Sequence, residues 1–191
     1  MDFLRARGAG RMPHPGGTLL EHLLRVARLL GEWDADPAVQ VAGLCHAAYG
    51  TDGFDQTLLD VGELDVGKLD VGGLEAGGRA VLTELIGERA EALVHLYASC
   101  DRDVVYPRFG GGRRPVVFRD RFTGQEHTPP EPDVRAFLEI TAANELDVLA
   151  HNAELAERYG PALCRLFTRA QDLLSAAARD ACEHHLGRYA D

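Results

Sequence analysis

Two apolar helical segments, each with a histidine among its hydrophobic residues, constrain the fold of this chain more than any other feature. The first is Thr18-Leu-Leu-Glu-His22-Leu-Leu-Arg-Val26 and the second is Ala42-Gly-Leu-Cys-His46. A histidine on the buried face of a helix needs a polar partner, a metal or a substrate. The two segments therefore predict a helical core that encloses a polar site.

The first of these helices has a well-marked start. Thr18 can cap it, and Glu21, three residues later, can complete a capping box. Apolar residues then recur at helical spacing up to Leu30, so that His22 lies between Leu19 and Val26 on the same side. We therefore expect His22 to point towards the core.

The second helix is predicted to begin at Asp36-Pro37, a cap followed by a proline in the first turn, and to end at Gly50. Gly43 and His46 lie on its apolar face, where the missing side chain of Gly43 allows another helix to approach closely. Two short antiparallel helices would then bring His22 and His46 together.

The rest of the chain is predicted to be mainly helical. Apolar periodicity predicts short helices over residues 81–86 and 89–100, a long helix over 132–159 that Gly160-Pro161 breaks, and a last helix over 162–186. Residues 116–128 predict a β-hairpin that turns at Thr123-Gly124. The predicted fold class is all-α, a helical bundle with one small β-hairpin insertion, in a single domain over residues 1–191.

Residues 59–78 form a five-residue repeat, LDVGE-LDVGK-LDVGG-LEAGG. This period matches neither a helix nor a strand, and four units are too few for a stacked repeat fold. We interpret the segment as an insertion that forms a surface loop; a small interaction motif is the alternative.

Composition narrows the classes of partner. The chain has 191 residues, 46% of them hydrophobic, and a formal net charge of -10. No stripe of lysine and arginine is present, so nucleic acid is not an expected partner. No apolar run approaches the roughly 18 residues of a membrane span, and the N-terminus has no signal-peptide pattern. A cytoplasmic protein without a membrane partner is therefore expected, and a homodimer is compatible with the sequence.

The cysteines, Cys45, Cys100, Cys164 and Cys182, are widely spaced and form no C-x-x-C pair. This spacing argues against a zinc ribbon. Buried free thiols are the expected state of all four.

Three segments resemble, in order, the metal-binding helices of the HD-domain superfamily. They are His22-Leu-Leu-Arg-Val26, Ala42-Gly-Leu-Cys-His46-Ala47 and Ala143-Asn144-Glu-Leu-Asp147. The resemblance covers roughly residues 12–160. It is closest to an uncharacterised HD-related bacterial family that has H-P-G-G-T-L-L-E-H and A-G-L-x-H-x-x-Y-G-T and also lacks the Asp of the His-Asp dipeptide. It implies an HD-like bundle and no settled activity.

Two departures from the superfamily pattern change the expected chemistry. Ala47 and Asn144 stand where the resemblance implies carboxylates, and a di-metal phosphohydrolase needs such carboxylates to offset the charge of its ions. Hydrolysis of a phosphate ester is therefore the least favoured activity. The remaining candidate metal ligands are His22, His46 and His95. Imidazoles suit transition metals, so iron is the first candidate, with zinc, manganese or copper after it.

A metal-free interpretation has equal standing. His22, His46 and Asn144 could form a hydrogen-bonded network in the core. His14, on a loop between Pro13 and Pro15, could cap a pocket and act with His46 as a general acid or base, and the hydroxyl of Tyr49 could line the same pocket. These three, His14, His46 and Tyr49, are the candidate catalytic residues. The candidate substrate-binding residues are Glu21, Thr51, Arg102 and Asn144.

The sequence thus predicts an HD-like enzyme that acts on a small molecule through a histidine-rich pocket. Mononuclear, metal-dependent oxidation is the first expectation, by analogy with the di-iron branch of the superfamily. The alternatives are a general acid–base enzyme and a metal-free relative that binds a small molecule or a protein.

Overall fold

The chain is mostly helical. The computed structural model describes residues 1–54, 56–59, 70–71, 74–75, 77–110 and 115–190, and these contain nine α-helices. The helices are α1 (Asp2–Ala6), α2 (Leu19–Glu32), α3 (Pro37–Cys45), α4 (Gly78–Ile86), α5 (Glu88–Ser99), α6 (Arg102–Val105), α7 (Glu131–His151), α8 (Ala153–Arg169) and α9 (Ala176–Leu186). The predicted all-α fold class is confirmed.

Helices α2 and α3 begin where the sequence predicts. The Oγ of Thr18 accepts the backbone N–H of Glu21, and the Glu21 carboxylate accepts the backbone N–H of Thr18, so the capping box is complete. Asp36 caps α3 through the backbone N–H of Ala38. A Cβ added at Gly43 would overlap the side chain of Leu30. The glycine therefore permits the close packing of α3 on α2.

Helix α7 is the centre of the bundle. It packs against α2, α3, α5, α8 and α9. Its middle part is buried on nearly every side, including the polar residues Glu139, Thr141, Asn144 and Asp147. Polar side chains of α7 consequently have to find their partners on neighbouring helices.

Three predicted helix boundaries are wrong. Helix α3 ends at Cys45 rather than Gly50, and His46 is its C-cap. The long helix breaks at Asn152, whose side chain caps α8 through the N–H of Leu155, and Pro161 lies inside α8 beside a buried Gly160. The last helix starts only after Ser175, which caps α9. In the last two cases a short polar side chain supplies the capping oxygen.

Three two-residue antiparallel strand pairs lie in the described residues. They are β1 (Pro13–His14) with β2 (Gly17–Thr18), β3 (Asp70–Val71) with β4 (Leu74–Glu75), and β5 (Phe118–Arg119) with β6 (Glu126–His127). The last pair is the predicted hairpin. The β3–β4 pair belongs to the pentapeptide repeat, most of which lies outside the described residues. The predicted surface loop over residues 59–78 therefore also lies mostly outside them.

Two further predictions concern the cysteines and the membrane. All four cysteines are free and buried, as predicted. Within the described ranges, no helix combines the length and the apolar character that crossing a bilayer requires.

A buried carboxyl group joins α7 to α9. The Oε1 of Glu139 accepts the backbone N–H of Ser175 at 2.5 Å, whereas its Oε2 is buried and has no hydrogen-bond partner among the residues that the structure describes. Burial raises the pKa of Glu139, and hydrogen bonding from Ser175 offsets only part of that rise. The group is therefore more easily protonated in the folded chain than in the unfolded one.

This shift predicts a pH-dependent gain in stability for Glu139→Gln. A folded-state pKa above the unfolded value contributes stability that is present below the unfolded pKa and is lost as pH rises through the folded pKa. The glutamine keeps an acceptor for Ser175 and removes the charge. In urea titrations, we expect the free energy of unfolding of the variant, relative to that of wild type, to increase as pH rises from 4 to 7. The exposed Glu32→Gln is the control, and the same trend in both variants would contradict the assignment.

Candidate functional site

A cavity of about 750 Å³ lies beside the buried histidines. Its wall is built by the β1–β2 hairpin, the segment after α3, α6 with the turn that follows it, and the facing sides of α7 and α8. Of the residues proposed from the sequence, five line it: His14, His46, Thr51, Arg102 and Asn144. Ala47, which stands where the resemblance implies an aspartate, also lines this cavity.

The β1–β2 hairpin holds His14 over the site. Gly16 in its turn has a φ of +78°, and a Cβ there would overlap the ring of His151. The guanidinium of Arg25 donates to the carbonyl oxygens of Pro15 at 3.1 Å and Gly16 at 3.4 Å. A tight turn that only glycine tolerates and an arginine on α2 therefore position the histidine.

The same arginine binds the buried carboxylate of Asp147. Arg25 donates through Nε to Oδ1 at 2.6 Å and through Nη2 to Oδ2 at 3.0 Å, and His22 Nδ1 donates to Oδ2 at 2.7 Å. Although burial raises the pKa of Asp147, the hydrogen bonds from His22 and Arg25 outweigh it and hold that pKa below its usual value. The carboxylate thus joins α7 to α2 as an ion.

A hydrogen-bonded chain continues from the other side of the His22 ring. His22 Nε2 lies 3.1 Å from Asn144 Oδ1, Asn144 Nδ2 donates to Glu145 Oε1 at 3.1 Å, and Arg102 Nη1 donates to the same oxygen at 3.2 Å. Both ring nitrogens of His22 therefore face oxygen acceptors. A ring with a proton on each nitrogen satisfies both contacts.

His46 lies beside this chain as a neutral base. Its Nδ1 donates to the carbonyl of Gly43 at 2.7 Å, and its ring centroid is 5.3 Å from that of His22. Burial, followed by repulsion from His22, lowers the pKa of His46 to about 3. With the proton on Nδ1, Nε2 keeps its lone pair near neutral pH.

His14 stacks on His22, with ring centroids 4.0 Å apart, and meets Phe54 edge-on. Burial, and then the charge of His22, lower the pKa of His14 to about 4. Its Nδ1 is buried without a hydrogen-bond partner among the described residues. The ring is thus neutral and only partly satisfied.

Two further polar atoms of the cavity residues have no partner in the part of the chain that the structure describes. They are Nε of Arg102 and the hydroxyl of Tyr106, and the Arg102 guanidinium lies 5.9 Å from the centre of the Tyr106 ring. Burial raises the pKa of Tyr106, so its hydroxyl stays a proton donor. A buried donor without a partner costs about 1–3 kcal/mol of free energy, so a ligand that offers an acceptor to these atoms would recover that cost.

The structure corrects the placement of two candidates. The Tyr49 hydroxyl donates to Glu91 at 3.0 Å, and Arg79 binds both oxygens of the same carboxylate, so Tyr49 belongs to a buried network behind the cavity. Helix α3 ends at Cys45 and a turn follows it, so His46 and Tyr49 do not share the face of one helix. Glu21 is exposed, its Oε2 serves the capping box at Thr18, and its side chain does not line the cavity.

His95 is not brought together with His22 and His46. Its ring lies 6.4 Å from the rings of Tyr49 and Phe122. Among the described residues, no group of three or more His, Cys, Asp or Glu is arranged to hold a metal ion. His22 Nε2 is already bonded to Asn144, and Ala47 rather than a carboxylate follows His46. The residues of the predicted three-histidine set therefore do not fit a metal.

Sequence reasoning missed several residues that shape the site. Asp147 lies in the third motif without a predicted role, and the predicted site includes neither Arg25 nor Tyr106. For Asp147 and Arg25 the signal was present: Arg25 follows His22 by one helical turn, and Asp147 follows Asn144 by three residues, on the same face. Tyr106 carried no comparable signal.

Comparisons with known proteins give one finding. A family model described as "Domain of unknown function (DUF6817)" matches residues 3–102. No curated protein matched, and no solved structure matched. The matched segment carries His14, His22 and His46, whereas Asn144 and Asp147 lie beyond it.

Removing the Asp147 carboxylate should destabilise the fold strongly. Asp147→Ala leaves His22 and Arg25 without their shared acceptor in the core, and breaking a buried pair in this way costs about 3–5 kcal/mol. Urea unfolding at pH 7 measures the loss.

The matched control is Glu32→Gln, which breaks the exposed pair between Arg28 and Glu32 on α2. An exposed pair of this spacing contributes about 0.3–0.5 kcal/mol. A loss for Asp147→Ala as small as that of the control would contradict the structural role of the buried carboxylate.

Proposed function

Since this chain belongs to the DUF6817 family, a family of unknown function, we propose its activity from the site itself: general acid–base catalysis on a small molecule, with His14 and His46 as the proton-transferring groups. One observation carries the proposal. In the part of the chain that the structure describes, Nδ1 of His14 is buried without a hydrogen-bond partner, and its ring shares the cavity with a second neutral histidine, His46.

The two histidines have complementary hydrogen-bonding positions. His46 donates its Nδ1 proton to the carbonyl oxygen of Gly43, which leaves Nε2 to accept a proton. His14 has neither nitrogen tied to a carboxylate, so it can exchange its tautomers as a proton is passed. Proton transfer by a positioned side chain accelerates a reaction by about 10²–10⁴-fold, which is enough to catalyse a reaction of modest difficulty.

Nε of Arg102 and the hydroxyl of Tyr106, which have no partner among the described residues, supply the second element of such a site. A carbonyl or hydroxyl oxygen of the substrate would accept from them once their side chains turn towards it. Donors aimed at an oxygen stabilise the negative charge that develops there during proton transfer. The proposed reaction class is therefore proton transfer next to a substrate oxygen.

Variants of the two histidines test this proposal. Candidate oxygen-containing metabolites are incubated with the protein, and conversion is followed by mass spectrometry. We expect His14→Ala and His46→Asn to lower kcat/KM by about 10²-fold or more, because each removes one proton-transfer group. Asn keeps the donor to Gly43, and unfolding measurements identify any loss that is due to the fold.

The control is His184→Ala, which removes an imidazole from an exposed position on α9, far along the chain from the cavity histidines. Because both bases must be unprotonated, the wild-type rate should fall as pH drops towards about 4. Turnover that survives in both cavity variants would contradict the proposal. A ligand that binds but is never converted would favour the binding-module alternative.

Oxidation at a bound transition metal is the alternative proposal that follows from the HD resemblance. One observation favours it: His22 Nδ1 is paired with a carboxylate, as metal-binding histidines are. Against it stand the engaged Nε2 of His22 and the position of His95.

Metal analysis distinguishes the two proposals. For untagged protein incubated with iron, zinc, manganese or copper and then desalted, we expect far less than one equivalent per chain, because two uncharged histidines make a weak site. Stoichiometric metal that His46→Asn removes would favour the oxidation alternative instead.

A further inference from the structure

The rim of the cavity on α8 carries positive charge that the acid–base chemistry does not use. Arg165 and Arg169, one helical turn apart, line the cavity and are exposed, so they stand at its opening. Arg169 donates through Nε to the carbonyl of Phe109 at 3.2 Å, which holds its guanidinium in place. Within the described ranges Arg165 has no ion pair or hydrogen bond.

The carboxylates that also line the cavity are mostly engaged. Asp52 accepts the backbone N–H of Arg102 at 2.8 Å, and Glu145 accepts from Arg102 and Asn144. Asp103, on α6, is exposed and is the remaining acidic group in the lining. The free charge at the α8 rim is therefore cationic, on a protein whose formal net charge is -10.

The wall below the two arginines is apolar. It is formed by Leu155, Leu163 and Leu166 of α8 and by Val148 and Leu149 of α7. Leu163 and Leu166 are buried, so this wall continues from the surface into the core. A ligand that fills it needs an aliphatic or aromatic skeleton.

We propose that the substrate is an amphiphilic anion, with an apolar skeleton against α7 and α8 and one carboxylate or phosphate held at the cavity opening by Arg165, assisted by Arg169. The proposal rests on the proposed function, because it takes the cavity as the place of reaction. Guanidinium forks match the geometry of both anionic groups. At the rim, the ion keeps part of its hydration while the rest of the molecule reaches the histidines.

Three probes of equal chain length test the charge preference: octanoate, octanol and octylammonium, each titrated into the intact protein by calorimetry. We expect octanoate to bind about tenfold more tightly than octanol, the effect of one charged hydrogen bond. Octylammonium should bind most weakly. Octanol binding as tight as octanoate, stronger binding of octylammonium through Asp103, or no binding by any probe would each overturn the proposal. Octyl phosphate compares phosphate with carboxylate.

Substitutions at Arg165 locate the anion. Arg165→Gln should remove the preference for octanoate and leave the affinity for octanol unchanged, whereas Arg165→Lys should keep most of the preference. Arg158→Gln removes the same charge from an exposed position of α8 outside the cavity and should have no effect. A preference that persists in Arg165→Gln, or that Arg158→Gln also removes, would overturn the proposal.

This test is separable from that of the proposed function. A neutral substrate whose turnover depends on His14 and His46 would overturn the anion proposal and leave acid–base catalysis intact. Octanoate binding that depends on Arg165, together with no histidine-dependent turnover of any compound, would support the anion site and contradict the catalytic proposal.

Discussion

The buried carboxylate of Asp147 is the interaction on which the rest of the site depends. It accepts hydrogen bonds from His22 and from two nitrogens of Arg25. Arg25 in turn binds the turn that carries His14, and His22 stacks on the His14 ring. One ion thus holds α2, α7 and the β1–β2 hairpin together. In a low-dielectric interior this ion is stable because Asp147, His22 and Arg25 are all paired.

This arrangement also sets the chemistry of the cavity. The Asp147 carboxylate is bonded to His22 and does not line the cavity, whereas Ala47 and Asn144 do. Both ring nitrogens of His22 are engaged in hydrogen bonds to Asp147 and Asn144, so His22 has a structural role. Its electrostatic effect also lowers the pKa of His14 and of His46. Two uncharged imidazoles, together with two donors that have no partner among the described residues, support the proposed proton transfer next to a substrate oxygen.

Local signals in the sequence were reliable where a single turn of chain decides the outcome. The capping box at Thr18 and the Asp36 cap formed as expected because their partners lie within three residues. Gly43 allowed the predicted close approach of α2 and α3. The signals failed where a competing cap was stronger. Asn152 ends the long helix earlier than Gly160-Pro161, because a side-chain oxygen can start a new helix there.

What the sequence by itself determined is the all-α class, the starts of α2 and α3, and the burial of His22 and His46, because these follow from periodicity and short-range hydrogen bonds. What only the tertiary structure decided is which polar groups meet. Tyr49 found Glu91 and Arg79, His95 remained apart, and Asp147 reached across 122 residues to Arg25. Such pairings depend on how helices rotate and cross, and no local pattern encodes that. The two histidine-bearing helices therefore predicted a polar site, and the packing around α7 determined its charge.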